Sequence, residues 1–237
     1  MEKRNKRDGT IVFYDKINKF IKPWHTLLDL GAGRACWYED DTVFERKKHR
    51  LMKGKVKLVI AADVDPIVLK NKASDKQVII SVQDLKNFDD DSFDIIIADY
   101  VLEHIENPDK FAREILRVLK PDGLFAARTP HKYSYVAIIA NIIGEKLQTV
   151  LLKKLQPKRK EKDVFPVKYK LNTLGDINKF FNSNTNKSYI FKTEPAYYFD
   201  KNIIFNTINI IHAIMPKFFS GNIFVYIHKN KNKKISS

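Results

Sequence analysis

Residues 27–37, LLDLGAGRACW, decide the fold class of this chain. Three leucines come first, as a strand buried within a parallel sheet requires. Gly31 and Gly33 follow at once, and glycines at a strand-to-helix turn let a ligand come close to the backbone. Because the next helix begins with unpaired N–H groups, the turn is a candidate site for a nucleotide-type cofactor.

The glycine pattern alone leaves two interpretations open. Cys36 stands where the dinucleotide fingerprint GxGxxG has its third glycine, which argues against an ordinary dinucleotide site. A tight turn in any α/β protein could carry the same two glycines. The order of strands and acidic residues further along the chain distinguishes a cofactor site from a simple tight turn.

Length and composition fit a globular protein of one large domain, or of one domain with a small lid. Of the 237 residues 44% are apolar, which is enough for a full core. The single cysteine, Cys36, excludes a disulfide scaffold or a cysteine-based zinc site and fits a reducing compartment. The charged start, MEKRNKRDGT, has no apolar run behind it and is not a secretory signal. We therefore expect a cytoplasmic protein.

The net charge of +15 is unevenly spread, with an acidic middle and a strongly basic last third. A basic face attracts phosphates, acidic glycans, nucleic acid or an anionic membrane. Most basic residues are lysines and asparagine is frequent, so compositional drift is the alternative. The apolar stretches 135–144 and 203–215 are too short to span a bilayer. They are either core residues of a cap or a peripheral membrane contact.

Strands and helices alternate along most of the chain. This alternation predicts an α/β fold with a doubly wound, mostly parallel sheet, that is, a Rossmann-like architecture. Asp109 is expected to cap the fourth predicted helix, at 109–120, and Pro121-Asp122-Gly123 to end it. Strands are predicted at 25–30, 58–63, 77–82, 93–99, 123–129, 188–194 and 222–229, and helices at 11–21, within 35–52, from 66, at 109–120 and at 172–181.

The alternation stops after Pro130. The region that follows contains KKLQPKRKEK (153–162), a charged stretch broken by proline, which indicates an inserted helical cap over the carboxyl edge of the sheet. We predict one domain over 1–237. Its parts are a cofactor-binding core at about 22–130, a cap and acceptor region at about 131–187, and final strands and helix at 188–229.

Three predicted strands end in or near an acidic residue. Asp63 ends the second strand, Asp84 follows the third and Asp99 ends the fourth. Ligands of doubly wound sheets bind at this edge, where a carboxylate can accept from ribose hydroxyls and another side chain from the adenine amino group. Each residue alone could be a helix cap or a loop carboxylate. Together with the glycine turn they predict a crevice for adenosine.

Residues 25–130 resemble the class I S-adenosylmethionine-dependent methyltransferases, of the methyltransferase type 11-like kind. The matching motifs occur in order: LLDLGAGR, AADVDP, SVQDLKNFDDDSFDIIIADYVLEHI and FAREILRVLKPDGLFAARTPH. The resemblance implies a seven-stranded sheet with one antiparallel strand, a place that suits 222–229. It also implies S-adenosyl-L-methionine as cofactor and methyl transfer as the reaction.

The resemblance implies roles for single residues. The glycines would line the methionine part of the cofactor, and Asp29 would orient the turn or meet the amino group. Asp63 would hold the ribose; Asp65 competes for this role, but the apolar run ends at Asp63. The cofactor-binding residues implied in this way are Asp29, Gly31, Gly33, Asp63, Asp84, Leu85 and Asp99.

A hydroxyl acceptor would benefit from a general base. His104, in DYVLEHI, and His131, in RTPHKYSY, are the two candidate catalytic residues. Either could instead pack beside the cofactor, and Tyr133 and Tyr135 could shape an acceptor pocket or simply pack. We find no His/Asp cluster with metal-ligand spacing and predict no metal.

The acceptor is the least readable part of the sequence. EKDVFPVKYKLNT (161–173) and EPAYYF (194–199) resemble segments of bacterial methyltransferases from polysaccharide gene clusters. This implies O-methylation of a small molecule, or of a sugar or glycan intermediate in polysaccharide biosynthesis. The acceptor of the methyl group could carry a phosphate. An RNA methyltransferase is a second hypothesis, although no RNA-binding signature is recognisable and we expect no nucleic-acid partner. A non-catalytic binding protein that keeps the fold is the third.

Overall fold

The structure, a computed structural model, describes residues 8–81, 84–135, 138, 167–181, 185–192, 210 and 212–230. Every predicted strand is present; two have the predicted ends, and the ends of the others differ by a few residues. The strands are β1 (Thr26–Leu30), β2 (Leu58–Asp63), β3 (Lys76–Ile79), β4 (Phe93–Asp99), β5 (Leu119–Pro130), β6 (Thr185–Asn186), β7 (Tyr189–Lys192) and β8 (Gly221–His228). The helices are α1 (Gly9–Asn18), α2 (Cys36–Asp40), α3 (Phe44–Arg50), α4 (Pro108–Val118), α5 (Leu174–Phe181) and α6 (Lys217–Ser220), with 3₁₀ turns at Pro66–Lys70 and Leu102–His104.

The strands form one sheet in the order β3-β2-β1-β4-β5-β8, and β6 and β7 share the outer edge of β8. The sheet therefore has seven strand positions. Neighbours from β3 to β5 are parallel, whereas β8 runs antiparallel to β5. This confirms the predicted doubly wound, mostly parallel sheet and the antiparallel strand at 222–229. The chain reverses its direction of winding between β1 and β4, and such a switch point opens a crevice at the carboxyl ends of the strands.

Each face of the sheet carries an apolar layer because side chains alternate along the strands. Helix α1 covers one face with Phe13, Tyr14 and Ile17, which pack over Leu27 of β1. Helices α4 and α5 cover the other face. Its buried residues include Phe111, Ile115, Ile177, Phe181, Leu28, Ile96 and Phe125. The helices thus bury both faces.

Two details of α4 differ from the prediction. Its N-cap is Asn107, not Asp109: Oδ1 of Asn107 accepts a hydrogen bond from the backbone N–H of Lys110 at 3.1 Å. Pro108 then occupies the first helical position, where its missing N–H costs nothing. The helix ends at Val118, because Leu119 already pairs with Phe93. The segment Pro121-Asp122-Gly123 therefore lies within β5, where the pairing register shifts, and does not end the helix.

Other differences concern short elements. The charged segment after the glycine turn forms two short helices, and the predicted helix from Pro66 is a 3₁₀ turn. Most of the predicted cap lies outside the described residues, as do 153–162, 194–199 and most of 135–144 and 203–215. The predicted division of the domain therefore stays a prediction. Within the described ranges, no helix has both the length and the apolarity that a membrane crossing requires.

Candidate functional site

The glycine turn after β1 has the backbone conformation that its sequence predicts. Gly31 and Gly33 have φ angles of +69° and +49°, in the left-handed region that favours glycine. A Cβ on Gly31 would collide with the side chain of Val101, from the loop after β4. In the described part of the chain, a Cβ on Gly33 would meet a single atom within 4 Å, Oδ2 of Asp63 at 4.0 Å. Gly31 therefore allows close packing, and Gly33 leaves room for a ligand.

Asp63 and Gly33, both predicted to contact the cofactor, lie side by side. Oδ2 of Asp63 accepts a hydrogen bond from the N–H of Gly33 at 2.8 Å, and Oδ1 accepts from the N–H of Asp65 at 2.9 Å. Each carboxylate oxygen can accept a further hydrogen bond. Asp65, the competitor for the ribose role, caps the following 3₁₀ turn by accepting from Ile67 N–H at 2.9 Å. The Asp65 carboxylate thus has a local structural role.

Asn71 also holds the glycine turn after β1, a role that was not predicted from the sequence. Its side-chain Nδ2 donates to the carbonyl oxygen of Gly33 at 3.0 Å, and its Oδ1 accepts from Ala73 N–H at 2.9 Å. The side chain is buried. Both backbone groups of Gly33 are therefore hydrogen-bonded to side chains, one from the end of β2 and one from the β2–β3 connection.

Beneath the turn, Asp29 belongs to a charged cluster with Arg50, Asp99 and Arg128, in which the side chains of Asp99 and Arg128 are buried. Asp29, Arg50, Tyr14 and Trp37 line one small cavity. Burial raises the pKa of Asp29 to about 7, and nearby Asp99 and Asp63 add to this, although Arg50 opposes it. The guanidinium of Arg50 lies 4.7 Å from the ring centre of Trp37.

Asp99 is held entirely by groups of the protein. Nε and Nη2 of Arg128 donate to its two oxygens at 2.7 and 2.8 Å, and the hydroxyl of Tyr14 donates at 3.2 Å. Arg50 lies 3.5 Å away. Burial alone would raise the pKa of Asp99, but the two guanidinium groups outweigh it and hold the pKa below its usual range. A cofactor contact of Asp99 stays a prediction, and the observed role of the residue is to anchor this edge of the sheet.

Asp84 and Leu85 follow β3. Oδ1 of Asp84 accepts from the N–H of Lys86 at 3.0 Å, and Oδ2 lies within 3.4 Å of the ammonium groups of Lys86 and Lys110. Leu85 is buried in the layer under α4, and its N–H donates to Glu114 at 3.0 Å. These contacts tie the loop to α4. The predicted adenine contacts of both residues stay predictions.

The comparisons with known proteins agree with this geometry. Residues 46–127, about a third of the chain, match the family model described as "Methyltransferase domain". A SAM-dependent methyltransferase from Archaeoglobus fulgidus superposes with a TM-score of 0.57 at 14% identity, covering 92% of each chain. The YcgJ protein from Bacillus subtilis gives 0.57 at 16%, covering 94% of this chain and 99% of that one. The chain has the class I methyltransferase fold.

The same fold occurs in proteins of other activity. The [4+2]-cyclase SpnF superposes with a TM-score of 0.55 at 13% identity, covering 93% of this chain and 81% of that one. No curated protein matches the sequence. The family match and the fold neighbours together indicate S-adenosyl-L-methionine as the cofactor.

The residues at the switch point fit that cofactor. The space in front of Gly33 would be filled by a Cβ, so this turn of the methyltransferase fold is shaped for close approach. The Asp63 carboxylate beside it can accept from hydroxyls, and Asp29 with Arg50 offers a carboxylate and a guanidinium to an amino-acid group. The donor set therefore suits a ligand with a sugar at one end and a zwitterion at the other.

The two histidines lie at the carboxyl edge. His104 ends the 3₁₀ turn of the loop whose Val101 packs on Gly31. His131 follows β5 and is buried, with its ring centre 4.5 Å from that of Phe218 and its Nδ1 accepting from Tyr133 N–H at 3.3 Å. Burial lowers the pKa of the His131 imidazole, which favours the neutral form that can take up a proton.

A buried polar chain connects the loop of His104 to β5. Oε2 of Glu103 accepts from the hydroxyl of Thr129 at 2.8 Å, and Nδ2 of Asn172 donates to the same hydroxyl oxygen at 2.6 Å. Burial raises the pKa of Glu103 to about 7. Asn172, which sequence reasoning missed, also donates to the carbonyl of Pro130 at 2.9 Å. The chain fixes the distance between the two loops that carry the histidines.

Proposed function

We propose that this protein is an S-adenosylmethionine-dependent methyltransferase that modifies a hydroxyl group of a small molecule or a sugar or glycan intermediate. One observation carries the proposal: the hydrogen bond from Gly33 N–H to Asp63 at the switch point of a methyltransferase fold. It joins a glycine turn, open on one side, to a carboxylate at the end of β2. This is the pairing that a nucleoside with an attached chain requires.

When bound, the cofactor supplies a methyl group on a positively charged sulfur. Transfer to an oxygen is an in-line displacement, so positioning of the two reactants contributes much of the acceleration. In the proposal the Gly31–Gly33 turn, which is hydrogen-bonded to Asp63 and Asn71, and the Asp63 carboxylate hold the cofactor in place. The hydroxyl proton has to leave during transfer, and His131 or His104 accepts it as general base.

The acceptor class and the location belong to the same proposal. A place in polysaccharide biosynthesis in the cytoplasm rests on the sequence resemblance and on the single cysteine. Peripheral contact with a membrane through the apolar stretches 135–144 and 203–215 remains part of this proposal.

Calorimetry with S-adenosylmethionine tests the cofactor site. We expect the wild type to bind and Asp63→Asn to bind at least tenfold more weakly, a loss of about 1.4 kcal/mol. Glu39→Gln is the matched control, because it also neutralises one carboxylate but on the exposed side of α2, and its affinity should equal that of the wild type. Circular dichroism verifies that each variant is folded. Equal binding by Asp63→Asn would show that Asp63 does not hold the ribose.

Transfer of a labelled methyl group tests the acceptor. Purified enzyme and labelled S-adenosylmethionine are incubated with cell extract separated into nucleic acid, glycan and small-molecule fractions. We expect label in the glycan or small-molecule fraction, released by neither nuclease nor protease. Label in RNA would replace the proposed acceptor by the second hypothesis. Tight cofactor binding without transfer to any fraction would favour a non-catalytic binding protein.

A further inference from the structure

A groove of about 420 Å³ lies beside the loop that follows β4. It is lined by the start of α4, by α5 and by the residues just before α5. Four of the lining side chains are lysines: Lys132, Lys168, Lys170 and Lys179. None of the residues assigned above to the cofactor or to catalysis lines it.

The lysines are only partly neutralised. Glu106 pairs with Lys168 at 2.7 Å, and Asp176 accepts from the hydroxyl of Thr173 at 2.7 Å. Lys170 donates to the backbone carbonyl of Glu106 at 2.9 Å, a group without net charge. With these two carboxylates against four ammonium groups, the groove keeps an excess of positive charge.

The start of α4 adds to the positive potential. This helix of 11 residues begins at Pro108, and both Asn107 and Pro108 line the groove. The N-terminal end of a helix carries a partial positive charge that favours anions. The four lysines that line the groove make a second and independent contribution to this potential.

The groove is close to the proposed site of methyl transfer. The loop after β4 packs on Gly31 through Val101 and reaches the groove at Glu106, five residues later. Five extended residues span at most about 18 Å. Lys132 is the neighbour of His131 in the chain, and the N–H groups of Lys168 and Tyr169 both donate to the carbonyl of Glu103, at 2.6 and 3.2 Å.

We infer that this groove binds the phosphate or diphosphate group of the methyl acceptor. The inference rests on the proposed function and narrows its acceptor to a phosphorylated small molecule or glycan intermediate. Multivalent oxyanions suit several ammonium groups around one groove, because each phosphate oxygen can accept from a different donor. An acceptor anchored here by its phosphate extends its hydroxyl-bearing part along the loop toward the histidines.

Calorimetric titration with inorganic pyrophosphate tests the groove without needing cofactor or acceptor. The variant combines Lys132→Gln and Lys179→Gln, whose ammonium groups make no ion pair among the described residues. The control combines Lys57→Gln and Lys76→Gln, which are exposed at the amino ends of β2 and β3, the opposite edge of the sheet. We expect the groove variant to lose at least tenfold in pyrophosphate affinity and the control to stay within twofold of the wild type. Equal losses in both variants, or no binding by the wild type, would overturn the inference.

Cofactor binding by the same proteins separates the two proposals. S-adenosylmethionine affinity should be equal in the wild type and both variants, since none of the four lysines lies in the cofactor site. If the protein binds the cofactor and transfers methyl groups but does not bind pyrophosphate, the inference about the groove is wrong and the proposed function stands. If the protein binds pyrophosphate but not the cofactor, the proposed function is wrong. The groove would then bind phosphate without being part of a methyl-acceptor site.

A second arm identifies the source of the phosphate. The three proteins are sedimented with phosphatidylcholine vesicles that contain phosphatidic acid, and with vesicles that lack it. If the groove variant alone stops sedimenting with the acidic vesicles, the phosphate is borne by a lipid. If all three behave alike while pyrophosphate still distinguishes them, the acceptor is a water-soluble phosphate. Either result supports the phosphate groove.

Discussion

Ala35 occupies a backbone conformation that favours glycine. It precedes α2 with φ 52° and ψ 50°, and it is buried. The left-handed conformation costs a residue with a side chain roughly 1–2 kcal/mol. Glycine avoids this cost but loses about 0.4–1 kcal/mol through its greater freedom in the unfolded chain. We therefore predict that Ala35→Gly raises the free energy of unfolding by about 0.5–1 kcal/mol, measured by urea denaturation.

Ala32→Gly is the matched control in the same turn. Ala32 does not have a positive φ angle, so glycine there brings only the entropy cost. We expect the free energy of unfolding to fall by about 0.4–1 kcal/mol. If Ala35→Gly also destabilises the protein, the packing of the buried Ala35 methyl group outweighs the backbone strain.

Asp29 makes stability depend on pH in a direction opposite to that of an ordinary surface carboxylate. Its pKa is raised to about 7 by burial, whereas the unfolded chain loses this proton near pH 3.8. Between these values the folded protein binds a proton that the unfolded protein does not. The contribution of Asp29 to the free energy of unfolding therefore falls as the pH rises through this window, by up to about 1.4 kcal/mol per pH unit.

The comparison of Asp29→Asn with the wild type isolates this effect, because all other titrating groups are common to both proteins. We predict that the stability of the variant relative to the wild type increases from pH 5 to pH 7 and stays constant above. Urea denaturation at each pH measures the difference. A difference that does not change with pH would show that Asp29 is already ionised in the folded protein at pH 5.

At the scale of elements, the sequence predicted best where local pattern and tertiary environment agree. Strands β2 and β4 have their predicted ends, 58–63 and 93–99, because strands buried on both faces read as uninterrupted apolar runs. The predicted cap of α4 was wrong: Asp109 and Asn107 are both good capping residues, and the structure uses Asn107. Pro108, which suits the first helical position, selects Asn107.

The candidate site was predicted only in part, for a physical reason. The sequence predicted that Gly33 and Asp63 share one site, because Gly33 lies in the turn after β1 and Asp63 ends the neighbouring strand β2. Nothing in the local sequence around Arg50 or Arg128 indicates that these residues belong to the site. Arg50 ends a short helix without buried residues, and Arg128 looks like any strand residue. The sheet register places Arg128 beside Asp99, and this register depends on the whole fold.

At the scale of the whole molecule, the two ends of the described chain form one layer. Helix α1 packs against β8, with the ring centre of Phe13 at 5.5 Å from that of Phe224 and 5.8 Å from that of Tyr226. The hydroxyl of Tyr226 donates to the carbonyl of Phe13 at 3.2 Å. Because β8 also pairs with β5 of the parallel part of the sheet, the first helix and the last strand stabilise each other, and we expect them to unfold together.

A double-mutant cycle between Phe13→Leu and Phe224→Leu measures this connection. Leucine keeps most of the buried volume, so each single variant should lose less than about 1.5 kcal/mol and remain folded. The rings of Phe13 and Phe224 meet edge to face, a geometry that contributes about 0.5–1.5 kcal/mol beyond apolar burial. The double variant should therefore be less destabilised than the sum of the single variants by that amount.

Phe181, stacked on Phe125 on the other face of the sheet, gives the control cycle: the losses of Phe13→Leu and Phe181→Leu should add to within about 0.5 kcal/mol. Additive losses in the first cycle would mean that α1 and β8 contribute to stability independently, although their rings touch.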